Sequence, residues 1–594
     1  MLFKKNNDFI AQGTIEYLVI LAIIIVIGLV FVGMLVSMND SGNIISKNND
    51  LKNLIGTGGI SVLDSVIDLD DSGLIVLKNN SGELLTLNKI LINGVESDFD
   101  ASFPNFSNLA FYLNQENSNC SCDAFERKKE CEVSIYYTNK YGVKKQESFK
   151  LTFDCQEKNN PKPETIYSNR FALGVIGEGY TNIVGVTTDL NDNIYVVGNF
   201  YDSISFGDFD LTPLGDSDIF VAKLNGNTQK WEWAVSAGRD GYSYGRGVVV
   251  DLEGNVYVVG SFSGDATFGN INVNGVGNSD GFVAKLNSFG EWQWVHNFGD
   301  SSYDNILNSI VFDSQENLYV AGGGGEINLA VIVAKVNKSD GSFDWNATGT
   351  GLSFGYTGLT VLSDGNLAIV GNYQSGLYNQ DFNFGNIRLP LQEGQQIFVA
   401  KLSSDGQWIW ANANIGSGYN GASSIISDSY GYLYIGGSVF TQDGFHFGNL
   451  QFNPSLDLEE FQFIAKINSD NNAGVWANFV DNSDFSYPYD LMFNSLDKLY
   501  MCGNIYGQTT IGSTSFNAEG GAAYIGRINK DTNAWISAKY SIGPNSESCT
   551  VITKDSKNRI IAVGSFNGDT NFDGKLLSSN GQNNIFVWRF EDFG

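Results

Sequence analysis

A single pattern recurs along most of the chain and constrains the fold more than any other feature. In its clearest copy, a first predicted strand at residues 247–251 is followed by a turn at residues 254–255 and a second strand at residues 256–262. A third strand at residues 281–287 and a fourth that includes residues 292–294 complete the copy. The glycine that ends the second strand recurs as Gly198, Gly260, Gly322, Gly371, Gly437, Gly503 and Gly564. Successive copies lie about 49 to 66 residues apart, which is enough chain for four β-strands in each copy.

Tryptophans mark the fourth strand of the copies and indicate how the array closes. Nine of the 10 tryptophans lie at that position: Trp231, Trp233, Trp292, Trp294, Trp345, Trp408, Trp410, Trp476 and Trp535. The last copy ends at residues 586–590 without a fourth strand, and residues 171–176 occupy that position ahead of the first copy. We expect this N-terminal strand to complete the final blade and to remove an exposed sheet edge. The sequence therefore predicts a seven-bladed β-propeller over residues 169–594.

The copies resemble SBBP β-propeller repeats, which carry the segments G-N-x-Y-V-x-G and D-x-F-V-A-K. Residues 254–260 and 280–285 match these two segments. The third copy is shortened around residues 322–325, and the sixth has Tyr-Ile-Gly-Arg at residues 524–527. The resemblance implies the propeller fold and an extracellular setting, but it implies no particular activity.

The first forty residues form a different kind of segment. Lys4 and Lys5 lie in a polar leader over residues 1–11, and an uncharged run extends from Tyr17 to Met38. An apolar helix of about 22 residues is roughly 33 Å long, which is enough to cross a bilayer with some tilt. In a secretory signal the apolar stretch precedes the cleavage site. Here the candidate cut precedes the apolar stretch, so we expect the helix to stay on the mature chain.

Residues 11–17, Ala-Gln-Gly-Thr-Ile-Glu-Tyr, resemble the class III signal peptide of archaeal type IV pilin-like proteins. The resemblance implies that a prepilin peptidase cuts between Ala11 and Gln12 and leaves a pilin-type helix over residues 12–38. It also implies that Glu16 helps to dock one subunit against the next. The new α-amino group at Gln12 would partner the Glu16 carboxylate, which is costly when unpaired in hydrocarbon. A plain N-terminal membrane anchor is the alternative.

The region between the helix and the repeats divides into three parts. Residues 39–59 are polar and rich in Gly, Asn and Ser, and they predict a stalk. Residues 60–155 alternate short apolar runs with turn residues, which predicts a small β-sandwich. Residues 156–168 contain two prolines and predict a linker.

Four cysteines cluster in the predicted sandwich, at Cys120, Cys122, Cys131 and Cys155. In an extracellular protein such a cluster favours disulfides. Either Cys120–Cys131 with Cys122–Cys155 or Cys120–Cys155 with Cys122–Cys131 fits the spacing. A zinc site is disfavoured because the cluster has no Cys-x-x-Cys pair and no histidine nearby.

Composition narrows the possible functions. Lys and Arg total 35 against 65 Asp and Glu, which gives a net charge of -30. Such a surface repels phosphate backbones, so we expect no nucleic-acid partner. The chain has two histidines, His296 and His446, which leaves little scope for histidine-based catalysis or metal binding. Cys502 and Cys549 stand apart from the cluster and are interpreted as buried thiols.

Two sets of charged residues recur in the copies. A lysine or arginine lies near the end of each predicted third strand, at Lys223, Lys285, Lys335, Lys401, Lys466, Arg527 and Arg589. We interpret it as a structural ion pair, with acids such as Asp218 or Asp280, rather than as a ring for an anionic ligand. An aspartate begins the turn after the first strand at Asp189, Asp251, Asp313, Asp428 and Asp555. It is interpreted as a turn cap, and calcium binding is the weaker alternative because the spacing lacks an EF-hand loop.

These observations predict a non-enzymatic cell-surface protein. The leading hypothesis is a minor or tip pilin, or a membrane-tethered adhesin, whose propeller binds an extracellular glycan or protein. The expected partners are the prepilin peptidase, pilin subunits or the membrane, and that unidentified ligand. No catalytic residue, metal site or cofactor is predicted, and the ligand-binding residues are left open. A tethered enzyme acting on polysaccharide or peptide, or a cell-envelope scaffold, is the alternative.

Overall fold

A computed structural model describes most of the chain from Ile60 onwards. The described residues are 60–67, 73–79, 85–93, 95–103, 108–113, 128–139, 141–155, 170–299, 304–324, 331–351, 358–374, 382–390, 394–415, 419–440, 445–447, 449–452, 461–480, 487–579 and 582–593. The predicted leader, pilin-type helix, stalk and linker, with Ala11, Gln12 and Glu16, lie outside these residues. The chain divides into two compact units, Met1–Glu164 and Thr165–Gly594. The described residues form strands and turns, so the described part of the protein is all-β.

The first unit contains one β-sheet among its described residues. Its strands are β1 (Ile60–Ile67), β2 (Gly73–Asn79), β3 (Leu85–Ile92), β4 (Val95–Phe103), β5 (Asn108–Leu113), β6 (Lys128–Asn139) and β7 (Lys144–Cys155). Their order in the sheet is β4-β3-β6-β7-β1-β2-β5. The sequence predicted a small disulfide-stapled β-sandwich over residues 60–155, whereas the described strands belong to one continuous sheet. The difference arises because Val66 and Ile67 of β1 pair in parallel with Asp154 and Cys155 of β7, which joins the two groups of strands.

The second unit repeats one arrangement of strands. In chain order its strands begin with β8 (Phe171–Gly177), β9 (Thr181–Thr188), β10 (Ile194–Phe200), β11 (Ile204–Phe206), β12 (Phe209–Leu211), β13 (Asp218–Asn225), β14 (Lys230–Arg239), β15 (Ser243–Val250), β16 (Val256–Phe262), β17 (Ala266–Phe268), β18 (Ile271–Val273), β19 (Asp280–Leu286), β20 (Trp292–Phe298), β21 (Asn305–Phe312), β22 (Leu318–Gly324), β23 (Val331–Val336) and β24 (Phe343–Thr350). They continue with β25 (Gly358–Val361), β26 (Leu367–Gln374), β27 (Asn383–Phe384), β28 (Ile387–Arg388), β29 (Gln395–Leu402), β30 (Trp408–Ile415), β31 (Tyr419–Ser427), β32 (Tyr432–Phe440), β33 (Phe445–Phe447), β34 (Leu450–Phe452), β35 (Phe461–Asn468), β36 (Gly474–Val480), β37 (Tyr487–Phe493), β38 (Leu499–Ile511), β39 (Thr514–Ile528), β40 (Trp535–Tyr540), β41 (Ser548–Lys554), β42 (Ile560–Phe566), β43 (Thr570–Phe572), β44 (Lys575–Leu577) and β45 (Asn584–Phe590).

Except in the last one, each repeat is an antiparallel sheet whose four long strands follow chain order, as in β15-β16-β19-β20 and β37-β38-β39-β40. The first strands contact one another in sequence, and the last of them contacts the first: β9, β15, β21, β25, β31, β37 and β41. Sheets arranged around a ring with their first strands innermost form a β-propeller. The β-propeller fold predicted from the repeats is therefore confirmed, and each four-stranded sheet is called a blade below.

The predicted closure is confirmed. Strand β8 pairs with β45, from Val175 opposite Ile585 to Phe171 opposite Arg589. The N-terminal strand thus supplies the fourth strand of the blade that begins with β41. Short hairpins between second and third strands add to the neighbouring blade, as where Phe268 of β17 pairs with Ala237 of β14.

The recurring glycine of the second strands is explained by a close backbone contact. A β-carbon at Gly198 or Gly260 would lie 2.0 Å from the carbonyl oxygen of Asn182 or Tyr244, in the first strand of the same blade. Pairing between first and second strands shifts register at this point, as between Val197 and Gly198. The bulge turns a carbonyl oxygen towards the second strand, so a side chain does not fit there.

The tryptophans lie in fourth strands, as predicted, and join neighbouring blades. Four of their indole nitrogens donate to backbone oxygens in the turn between the third and fourth strands of the next blade: Trp233 to Ser288 (3.1 Å), Trp294 to Lys338 (3.1 Å), Trp410 to Ser469 (2.9 Å) and Trp476 to Lys530 (3.0 Å). A buried indole N–H usually has such a partner, although the buried Nε1 of Trp292 has none among the described residues. The fourth-strand tryptophan is therefore part of the contact that holds blade to blade.

Candidate functional site

The aspartates between first and second strands cap their turns. Asp251 accepts hydrogen bonds from the backbone N–H groups of Glu253 (3.0 Å) and Asn255 (2.8 Å) and from the Asn255 side chain (2.9 Å). The Tyr257 hydroxyl also donates to it, at 3.1 Å. Asp189, Asp313 and Asp428 have equivalent backbone partners and an equivalent tyrosine. The predicted turn-capping role is therefore confirmed.

The tyrosine beneath each turn is a structural part of it. Burial and the nearby Asp313 carboxylate raise the pKa of Tyr319 to about 12. The hydroxyl therefore stays protonated and donates to the aspartate at neutral pH. Among the described residues, no group of three or more His, Cys, Asp or Glu side chains is placed to hold a metal ion.

Asp251→Ala is expected to lower the free energy of unfolding by about 2 kcal/mol, because it leaves buried donors without an acceptor. Thermal unfolding with and without calcium would measure this. Glu253→Ala is the matched control, since Glu253 lies exposed in the same turn. We expect no calcium dependence in the wild-type chain. A rise in its unfolding temperature with calcium, absent in Asp251→Ala, would favour the calcium interpretation.

The recurring cations serve the blades, but their partners differ from those predicted. Lys223 bonds Glu232 at 2.9 Å and lies 5.6 Å from the ring centre of Tyr195. Lys401 bonds Asp364 at 3.0 Å. The predicted partner Asp218 instead accepts hydrogen bonds from Leu214 and Gly215 N–H in the loop before β13, and Asp280 is bonded in the same way. The prediction of Asp218 and Asp280 as ion-pair partners was wrong, because these acids lie at the opposite end of the third strand from the cation.

The remaining predicted residues are only partly described. Cys131 is buried and disulfide-bonded. Cys155 ends β7, while Cys120 and Cys122 lie outside the described residues. The connectivity of the four cysteines stays a prediction. No helix among the described residues is long and apolar enough to span a membrane.

Four tyrosines, Tyr180, Tyr201, Tyr242 and Tyr244, form a continuous cluster, called the tyrosine cluster below. Tyr180 and Tyr201 pack edge to face with ring centres 5.7 Å apart, and Tyr242 and Tyr244 stack with ring centres 6.2 Å apart. The Tyr201 and Tyr244 hydroxyls lie 3.4 Å apart and connect the two pairs. Tyr180 is 52% exposed and Tyr242 is 47% exposed. The cluster therefore presents ring surface and hydroxyl groups to solvent.

The topology places the tyrosine cluster on one face of the propeller. Tyr180 precedes β9 and Tyr242 precedes β15, while Tyr201 directly follows β10. Phe200 at the end of β10 pairs with Thr181 at the start of β9, so these positions share one end of the sheet. The capped aspartate turns lie at the other end. Backbone bonds fix the cluster, since Tyr201 N–H donates to the Tyr180 carbonyl oxygen at 3.2 Å.

The cluster's electrostatics and its asymmetry both suit a binding site. Burial and the neighbouring tyrosine hydroxyls raise the pKa of Tyr201, so it remains a neutral donor. The Arg246 guanidinium lies 5.8 Å from the ring centre of Tyr244. At the positions of Tyr244 and Arg246 the preceding blade has Asn182 and Val184. A site that recognises one ligand uses residues that differ between repeats, and this site has them.

Sequence reasoning missed the tyrosine cluster, although a signal was present. A Gly-Tyr pair precedes several first strands, at residues 179–180, 241–242, 355–356 and 418–419. The pair recurs in the same way as the structural residues do. Its tyrosine becomes part of a candidate binding site only in the copies where it contacts other tyrosines. That depends on loop geometry, which the repeat pattern alone does not give.

Two carboxyl groups of the propeller have raised pKa values, as catalytic acids often do. Burial raises the pKa of Glu547 to about 7 and that of Asp490 to about 6. Glu547 accepts from the hydroxyl groups of Thr570 (3.0 Å) and Ser541 (3.4 Å). Asp490 accepts from Ser424 (2.8 Å) and from backbone N–H groups. Glu547 is fully buried, whereas Asp490 is partly exposed. Both acids accept several hydrogen bonds from neighbouring residues of the fold, and we interpret both as structural.

Comparisons with known proteins bear on the fold. No protein-family model and no curated protein matches the chain. A quinohemoprotein alcohol dehydrogenase from Comamonas testosteroni is 11% identical with a TM-score of 0.35, over 78% of this chain and 74% of that one. A europium-containing methanol dehydrogenase is 8% identical with a TM-score of 0.33, over 78% and 89%. A puromycin-hydrolyzing peptidase from Mycobacterium tuberculosis is 11% identical with a TM-score of 0.36, over 70% and 54%.

At these identities the likeness concerns the fold alone. The prediction that the chain has no enzymatic activity is contradicted to this extent: the structures found include two dehydrogenases and a peptidase, so a propeller fold gives no ground for excluding catalysis. The expectation rested on scarce histidine and regular repeats. Neither feature excludes catalysis from loops on one face of a propeller.

Proposed function

We propose that this chain is a cell-surface protein with a seven-bladed propeller that binds a neutral extracellular polysaccharide at the tyrosine cluster. The observation that carries the proposal is the cluster itself. Four rings from two adjacent blades meet on one face, and two of them are about half exposed. Solitary exposed apolar residues are ordinary, whereas a contiguous exposed aromatic patch marks an interaction site.

The chemistry of the cluster favours sugar over other ligands. A tyrosine ring offers a flat apolar face to the C–H surface of a sugar ring, and its hydroxyl group bonds a sugar hydroxyl. The Tyr201 and Tyr244 hydroxyls lie together between the two ring pairs, where both can reach one ligand. The net charge of -30 repels polyanions. A neutral polysaccharide therefore fits better than a nucleic acid or a sulfated chain.

The cell-surface setting rests on the sequence of the first forty residues. Cleavage between Ala11 and Gln12 would leave residues 12–38 as the helix that enters a filament or stays in the membrane. Glu16 would dock that helix against a pilin subunit. The propeller would then project outwards and bring the tyrosine cluster to extracellular material.

A panel of immobilised neutral and acidic polysaccharides, probed with the purified chain, tests the proposal. We expect retention on at least one neutral polysaccharide, with weaker binding to acidic ones. Release of reducing ends is measured in the same wells, so that hydrolysis of a bound polysaccharide is detected. Release of reducing ends would show that the chain also hydrolyses the polysaccharide it binds. Failure to bind any polysaccharide would contradict the proposal.

A further inference from the structure

Two cysteines meet where one blade packs against the next. Cys502 lies in β38, the second strand of one blade, and Cys549 lies in β41, the first strand of the next. Both are fully buried, and both are free thiols. The Cys502 thiol donates to the Cys549 carbonyl oxygen at 3.4 Å. The two side chains therefore belong to one buried cluster at the interface between the blades.

The repeats show how close these two positions are. Cys502 precedes the recurring glycine of its blade, as Val197 does in β10, and Cys549 pairs with the recurring glycine of the next blade, as Gly245 does. A β-carbon added at Gly245 would lie 2.5 Å from Cγ2 of Val197. The equivalent positions Cys502 and Cys549 are therefore direct neighbours across the blade interface. A disulfide needs β-carbons roughly 3.5 to 4.5 Å apart, a separation that directly neighbouring side chains can reach.

We propose that Cys502 and Cys549 form an oxidisable pair whose disulfide covalently joins two neighbouring blades. The oxidant is a small disulfide acting by thiol–disulfide exchange. One cysteine thiolate attacks the oxidant and releases one thiol, and a mixed disulfide forms. The second cysteine then attacks this mixed disulfide and releases the second thiol. Two electrons pass to the oxidant, and its two released thiols take up the two protons.

The timing of this reaction follows from burial. Burial raises the pKa of the Cys502 thiol well above its usual value, and the neighbouring Cys549 adds to the effect. The Cys502 thiol of the folded chain is therefore protonated, and the burial of both cysteines closes them to the oxidant. Exchange takes place while the blades assemble, before the interface excludes solvent. The bond would close a loop between residues 47 positions apart and would stabilise the docked blades.

Refolding of the full chain in a glutathione redox buffer tests the pair. A parallel sample refolds under full reduction, and both are then denatured, alkylated and mapped by mass spectrometry. We expect a linked pair of peptides containing Cys502 and Cys549 in the first sample and two alkylated cysteines in the second. Thermal unfolding of the oxidised sample should occur at a higher temperature than that of the reduced sample.

Two variants make the result specific. Cys502→Ala and Cys549→Ala should each leave the other cysteine alkylated and abolish the temperature difference in the unfolding of the propeller, while any effect of the Cys131 disulfide in the first unit stays. Both variants should fold, because Ala321 and Ala422 occupy the equivalent positions in other blades. Alkylation of both cysteines after oxidative refolding of the wild-type chain would overturn the proposal. Glutathione adducts on both cysteines, in place of the link, would overturn it as well.

Discussion

Gly437→Ala is expected to destabilise the propeller by about 3 kcal/mol or more, because the new methyl group has no room. A β-carbon at this position would lie 2.2 Å from the Gly421 carbonyl oxygen and 2.8 Å from the Phe463 ring. The first of these atoms belongs to a backbone fixed by strand pairing, so it cannot move without breaking the bulge. Thermal and denaturant unfolding of the purified variant would measure the loss.

Gly421→Ala is the matched control in the same blade. A β-carbon at Gly421 would come no closer than 3.9 Å to its neighbours. We expect this variant to unfold within about 1 kcal/mol of the wild-type chain. Equal stability of the two variants would contradict the close-contact explanation of the recurring glycine.

Val175→Asp is expected to cost about 3–5 kcal/mol, because it places an unpaired carboxylate in the core of the closing blade. Val175 of β8 is 1% exposed and lies opposite Ile585 of β45. It packs with Ile183 and other buried residues of the adjoining blade. Losing this strand would leave β45 as an open edge.

Ile176→Asp is the control for closure, since Ile176 is the next residue of β8 and is 38% exposed. Limited proteolysis would distinguish the two variants by the release of the N-terminal segment. We expect cleavage before β9 to rise sharply in Val175→Asp and to stay near the wild-type rate in Ile176→Asp. Equal protection of both variants would mean that β8 is not required for closure.

Further contacts hold the same junction between the last and first blades. Asp192, in the turn after β9, bonds Arg559 at 3.1 Å and Lys557 at 3.0 Å. The Ser556 hydroxyl group donates to it at 2.6 Å. These residues lie more than 360 positions from Asp192 in the chain. Closure therefore combines strand pairing with a buried ionic contact.

Much of the propeller was predictable because its signals are local and repeated. The recurring glycine and the fourth-strand tryptophans define a regular pattern, and the strand over residues 171–176 is visible because it lies outside the order of that pattern. Contacts between repeats were harder to predict. Asp218 and Asp280 looked like partners for the nearby cations, yet the two groups lie at opposite ends of a strand. The parallel pairing of β1 with β7 depends on two residues that no local pattern marks.

The tyrosine cluster was not predictable for a related reason. Tyr180 and Tyr242 stand at repeated positions and read as structural, whereas Tyr201 and Tyr244 do not repeat in the neighbouring copy. The four tyrosines form one cluster because Tyr201, in the loop after β10, contacts Tyr244 near the start of β15. Strand periodicity fixes the blades, but it does not fix which loop side chains touch across a blade boundary.

The most direct test of the binding site is a titration with a polysaccharide that the chain retains. Tyr242→Ala removes an exposed ring of the tyrosine cluster, and Tyr430→Ala removes a ring that is 74% exposed in the turn between β31 and β32, on the opposite face. We expect Tyr242→Ala to weaken binding about tenfold, a change of about 1.4 kcal/mol, and Tyr430→Ala to leave it unchanged. Equal affinity of both variants and the wild-type chain would show that the ligand binds elsewhere.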